Sequence, residues 1–154
     1  MSGIEFTAEI DDAELRKFLG KKLAGVSNLK PFYSNVGEHL LNSVEDRFDT
    51  ETSPEGVAWA ALSPVTIAQR AKSKDSGALT ILRSSGILAG SFNYDANSDQ
   101  VQIGTPSVYG AIHHFGGQAG PTTNRVEIPA RPILGLSSDD ETAIREIAED
   151  FLTN

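Results

Sequence analysis

The chain has 154 residues, a length one domain with one core can fill, and its 39% apolar and 22% charged content suits a globular protein rather than a disordered one. It holds no cysteine, which excludes disulfides, thiol nucleophiles and cysteine-ligated metals, and leaves the fold to packing within the subunit or against neighbours. A formal charge of −8 argues against a protein whose whole surface grips nucleic acid, because phosphate binding needs a basic face.

Ile4, Phe6, Ala8 and Ile10 alternate with polar residues and predict a half-buried strand. Asp11 or Asp12 then caps a helix whose apolar stripe is Leu15, Phe18, Leu19 and Leu23, broken at Gly25–Asn28. Pro31 suits the first turn of a second helix, with Phe32, Val36, Leu40 and Val44 as its stripe and Asp49 near its end. Pro54 and Gly56 mark a turn, and Ser63-Pro64 caps a short helix through Ile67, Ala68 and Arg70. Lys72 to Ala78 reads as a mobile loop, and Ser84-Ser85-Gly86 as a break.

Residues 91–94 and 101–103 alternate like strands, and Asn97-Ser98-Asp99 between them predicts a hairpin. Val108 to Phe115 is a short helix ending at Gly116-Gly117, Gln118 to Asn124 a polar loop, and Val126–Ile128 a strand stopped by Pro129. Ser138 and Glu141 form a capping box for a last helix with the stripe Ile144, Ile147, Ala148 and Phe151. The expectation is a single α+β domain over residues 1–154, a small antiparallel sheet packed with N- and C-terminal amphipathic helices.

No apolar run reaches the ~20 residues that span a bilayer, and the N-terminus lacks the basic flank and apolar core of a signal peptide. Synthesis in a cytoplasm is the expectation. The basic clusters Lys21, Lys22, Lys30 and Arg70, Lys72, Lys74 read as solvated helix ends.

Little in the chain invites catalysis. His113 and His114 are adjacent, and neighbours on a helix point ~100° apart, so both do not easily face one ion. No spaced carboxylate or histidine set accompanies them, and His39 is distant on the polar side of its helix. Glu45, Asp46, Asp49 and Glu51 read as a solvated helix end. No serine lies in a Gly-x-Ser-x-Gly turn, and the glycine-rich stretch at 116–120 lacks the Lys-Ser/Thr of a phosphate loop. No catalytic residue, cofactor or metal is expected.

An ordered series is more informative. It runs from Pro54 through Trp59 to Thr66, then Ile81 to Leu88, Val101 to Thr105, Tyr109 to Gly117, and Ile128 to Ser137. These segments, within about residues 42–152, resemble the phage virion-morphogenesis family, the tail-completion and capsid-assembly proteins of Mu-type and related phages. The resemblance implies a virion assembly protein acting where tail meets head, made in the host cytoplasm. It further implies a homo-oligomeric ring, a hexamer favoured, beside neck, connector and tail-tube proteins. DNA would pass through the ring without sequence-specific binding, and no membrane is involved. A transient assembly factor absent from the finished particle and a small virion-associated hydrolase are the alternatives. Trp59, Tyr109, His113, His114, Phe115 and Arg131 are the interface candidates. A lone Trp such as Trp59 is more usually core, though also a frequent interface anchor, and Arg131 suits a carboxylate of its own or the next subunit equally.

Overall fold

Apolar residues recurring every fourth position from Phe32 to Val44 can be buried together only by a long helix, and one dominates the molecule. The computed structural model describes residues 6–7, 13–72, 80–82 and 86–153. In chain order the elements are β1 (Phe6–Thr7), α1 (Ala13–Lys22), α2 (Lys30–Thr50), α3 (Pro64–Lys72), a 3-10 turn (Ala89–Ser91), β2 (Asn93–Ala96), β3 (Val101–Thr105), α4 (Gly110–Phe115), β4 (Gly117–Ala119), β5 (Val126–Ile128) and α5 (Ser138–Thr153). The fold is α+β, as expected. The rest of the strand expected at 4–10, the candidate α1 caps Asp11 and Asp12, the loop at 73–78 and Ser84-Ser85 lie outside the described residues.

α2 begins with Pro31 in its first turn and ends at Glu51, which turns left-handed (φ 56°). Its two halves serve two clusters. Phe32 and Val36 pack with Leu15, Leu23, Ile144 and Ala148, joining α1, α2 and α5. Val44 and Phe48 pack with Trp59, Ile81, Leu88, Phe92, Ile133 and Leu134. Each buried Val, Leu, Ile or Phe among them contributes roughly 1.5–3 kcal/mol through removal of apolar surface from water. α3, capped by Ser63 Oγ accepting from Thr66 N at 3.1 Å, buries none of its residues.

β1, β3 and β2 form an antiparallel sheet in that order, with Tyr94 opposite Ile103 and Phe6 opposite Thr105. The Asn97 side chain shapes the β2–β3 turn: its Oδ1 accepts from Asp99 N (2.7 Å) and Gln100 N (2.9 Å). α2 packs across this sheet, and Gly37 allows it: a Cβ there would lie 2.4 Å from the Tyr94 ring.

Two expectations change. Part of the loop at 118–124 is a strand, since Gly117–Ala119 pairs with Val126–Ile128 as a second hairpin. Gly-Gln-Ala carries no alternation to reveal it. The cap of α5 lies one residue earlier than Ser138: Ser137 Oγ accepts from Asp140 N and Asp140 Oδ2 accepts from Ser137 N, both at 3.0 Å. Burial of Asp140 against α2, described below, selects that register over the box with Glu141.

Candidate functional site

His39, Ser43 and Arg47 are spaced by four on α2 and so share one helix face. All three converge on Asp140, which is 2% exposed at the start of α5. Its Oδ1 accepts from Ser43 Oγ (2.5 Å) and His39 Nε2 (2.8 Å). Its Oδ2 accepts from Arg47 (2.6 Å) and from Ser137 N. Arg47 also donates to Ile133 O at 2.8 Å, so one cation ties α2 to both α5 and the irregular 131–136 segment. Burial pushes the Asp140 carboxyl up, but the hydrogen bonds from Ser43 and Ser137 N, the Arg47 charge and the His39 bond outweigh it and hold it below the usual carboxylate range. Burial lowers the Arg47 guanidinium, with Asp140 opposing.

Serine, histidine and aspartate together suggest a hydrolytic triad, yet the geometry opposes one. A triad needs one imidazole nitrogen on the carboxylate and the other on the hydroxyl. Here Nε2 faces both Asp140 (2.8 Å) and Ser43 (3.4 Å), and the Ser43 proton goes to Asp140. The cluster fastens helices and does not activate a nucleophile.

A second cluster gathers the interface candidates of the sequence. Trp59, 5% exposed, meets Phe48 edge-on at 5.4 Å and donates Nε1–H to Pro132 O at 2.8 Å. Next to it, Arg131 Nε donates to Ala60 O (2.8 Å) and a terminal nitrogen to Ala61 O (3.0 Å). Within the subunit its side chain thus meets two main-chain carbonyls rather than the expected carboxylate, because the stiff Ala130-Arg131-Pro132 segment runs alongside residues 59–62. Burial lowers the Arg131 guanidinium, Arg70 adds to this and Glu51 opposes it.

His113 accepts Arg131 N at its carbonyl (2.8 Å), and His114 Nδ1 accepts from Ile133 N (3.1 Å) and Leu134 N (3.3 Å). Burial lowers both imidazoles from the usual histidine value; Arg131 lowers His113 further, and Glu55 opposes the shift at His114. The acceptor role of Nδ1 assigns neutral His114 its proton on Nε2. His113 Nδ1 is buried without a hydrogen-bond partner among the described residues. Among the described residues, no three histidines or carboxylates lie together as a metal site.

Tyr109 and Phe115, at the two ends of α4, are 64% and 66% exposed, and Phe115 meets the His114 ring edge-on at 4.6 Å. Of the six candidates, then, Trp59 and Arg131 are engaged inside the subunit, the histidines are half-buried, and the two aromatics at α4 face outward. The Asp140 cluster was not legible, since His39 and Asp140 are 101 positions apart. The four-residue spacing of His39, Ser43 and Arg47 was its only trace. Of the acidic group, Glu45, Asp46 and Asp49 are exposed, whereas Glu51 Oε1 accepts Ile81 N at 2.9 Å.

Two internal polar clamps thus fasten a small α+β scaffold. The chain belongs to the phage virion morphogenesis family, which matches residues 10–153. It is 37% identical over 111 residues to an Escherichia phage Mu protein named as a capsid assembly protein, G, covering 70% of this chain and 67% of the other. It is 32% identical to the Mu-like prophage FluMu G protein 1 of Haemophilus influenzae, covering 82% of each. G protein 2 of that prophage is 42% identical over 64 residues, covering 42% of this chain and 46% of the other. No solved structure matches the chain significantly.

Proposed function

We propose that the chain is a non-enzymatic structural component that completes the tail and joins it to the head, acting as a homo-oligomeric ring around the DNA path. The observation that carries this reading is the engagement of the chemically capable side chains. His39, Ser43, Arg47, Asp140, His114 and Arg131 all spend their hydrogen bonds on holding the fold. Family membership supplies the virion context. The charge of −8 suits a lumen that DNA crosses without sticking. A hexamer is the favoured stoichiometry, with neck, connector and tail-tube proteins as neighbours.

The capsid-assembly name of the phage Mu relative favours a second reading, a transient factor needed during construction and missing from the particle. A phage with the gene interrupted separates the two. The structural reading expects filled heads and unjoined or overlong tails by electron microscopy, with the protein present in purified wild-type virions. Normal yield without the gene overturns both readings, and absence from pure virions overturns the structural one.

A further inference from the structure

α1 and α5 are neighbours of opposite charge. α1 carries Arg16, Lys17, Lys21 and Lys22 against Glu14, whereas α5 carries six carboxylates against Arg145. Both helices turn their apolar sides into one cluster, Leu15 and Leu23 from α1 beside Ile144 and Ala148 from α5. Their outward faces therefore border each other, and the Phe18 ring marks the seam. Lys22 Nζ stands 5.9 Å from its centroid and the Arg145 guanidinium 4.7 Å.

On the α5 side Asp140 is drawn inward by Arg47, while Asp139, Glu146, Glu149 and Asp150 are exposed. Those four fall within about 100° of the helix circumference and make a single acidic face. On the α1 side Lys17 and Lys21 are exposed one turn apart and share a face, with Lys22 exposed beside the seam. Solubility is served by interspersed signs. Here the signs are sorted, each onto its own helix.

We propose that α1 of one copy docks on the α5 face of another, Lys17 and Lys21 meeting the carboxylates of Glu146 and Glu149. The proposal rests on the homo-oligomeric reading and names the two surfaces that meet. The sorted charge selects the occupant. A nucleic acid drawn to the α1 lysines would lie against the α5 carboxylates beside them, and an acidic protein would meet the same repulsion. A basic protein drawn to α5 would be opposed by α1, and a neutral one would strip water from these charges without replacing it. The partner has to carry the pattern in reverse. A second copy does so by construction, whether the exchange is reciprocal across a two-fold axis or repeats around a ring. Exposed ion pairs are individually weak, so several act together and salt loosens the contact.

Sedimentation of the purified full chain tests this, with Lys17→Glu plus Lys21→Glu as one variant and Glu146→Lys plus Glu149→Lys as the other. The wild type is expected as an oligomer whose dissociation constant rises with ionic strength. Each variant alone is expected to self-associate about tenfold more weakly, toward the 16.5 kDa of one chain, because like charges then face each other. An equal mixture of the two is expected to associate again, since each offers the other opposite charge, and that recovery also shows both to be folded. A photo-reactive residue in place of Lys21 in the otherwise native chain is expected to join two copies covalently through α5, a readout that needs neither variant to fold. Variants that associate like the wild type, without such cross-links, overturn this surface and leave the homo-oligomeric reading standing. A mixture that stays dissociated while both variants keep the wild-type far-ultraviolet dichroism also overturns it. A wild type that stays monomeric overturns both readings. Cross-links in infected cells exclusively to another virion protein overturn the second copy as occupant.

Discussion

Asp140 accepts four hydrogen bonds while almost fully buried, so its removal leaves Arg47 charged and without its partner in the core. Removing one partner of a buried ion pair costs about 3–5 kcal/mol, and Asp140→Ala is expected to lose that much in urea unfolding. Asp140→Asn should lose less, because Ser137 N and Arg47 keep an acceptor oxygen. The histidines set the pH response. His113 and His114 have folded values below 6.5, so the unfolded chain binds more protons as pH falls past that point. Stability is therefore full above about 6.5 and declines as pH drops through the window between the unfolded and the lowered folded values. Urea midpoints from pH 8 to pH 5 should fall, and His114→Asn, which retains an acceptor for Ile133 N, should flatten the slope. Asp140 adds its own loss only at more acidic pH, as pH falls from its unfolded 3.8 through its lowered folded value. A stability that does not change across pH 8 to 5 would contradict the neutral-histidine geometry.

Among the elements, α2 has the most dependents, since both core clusters and the sheet rest on it. Gly37 shows how the helix and the sheet constrain each other. Alanine in a helix interior is favoured over glycine by ~1 kcal/mol, yet a Cβ here would stand 2.4 Å from Tyr94. The overpacking cost of about 1–3 kcal/mol decides the sign. Gly37→Ala should lower the melting temperature, and Gly37→Ala with Tyr94→Ala should recover part of it. Gly116→Ala is expected to be worse than Gly37→Ala, for both its left-handed φ and the backbone atoms at 2.8 Å oppose a side chain. Local periodicity gave away α1, α2, α5 and the β2–β3 hairpin, because each buries one regular face. Val126 and Ile128 around Glu127 also gave away β5, whereas β4 gave no such sign, since Gly117-Gln118-Ala119 carries no alternation of apolar and polar side chains.

For the whole molecule, burial of Trp59 within one subunit supplies a measurable distinction between folding and assembly. Its indole is 5% exposed and bonded to Pro132, so its emission maximum should stay constant across a dilution series that dissociates the oligomer and move red only on unfolding. A red shift on dilution would place Trp59 at a subunit contact instead. Composition, helix stripes, turn residues and the ordered segments around Trp59, His113 and Arg131 determined the α+β class and the family without any coordinates, because each is a local pattern. The partners of those residues were a different matter. That Arg131 answers to carbonyls, that His39 and Asp140 meet, and that Tyr109 and Val126 stand outside were decided by tertiary structure. Each depends on which distant backbone passes within about 3 Å, the range over which a hydrogen bond acts, and spacing along the chain carries no record of that.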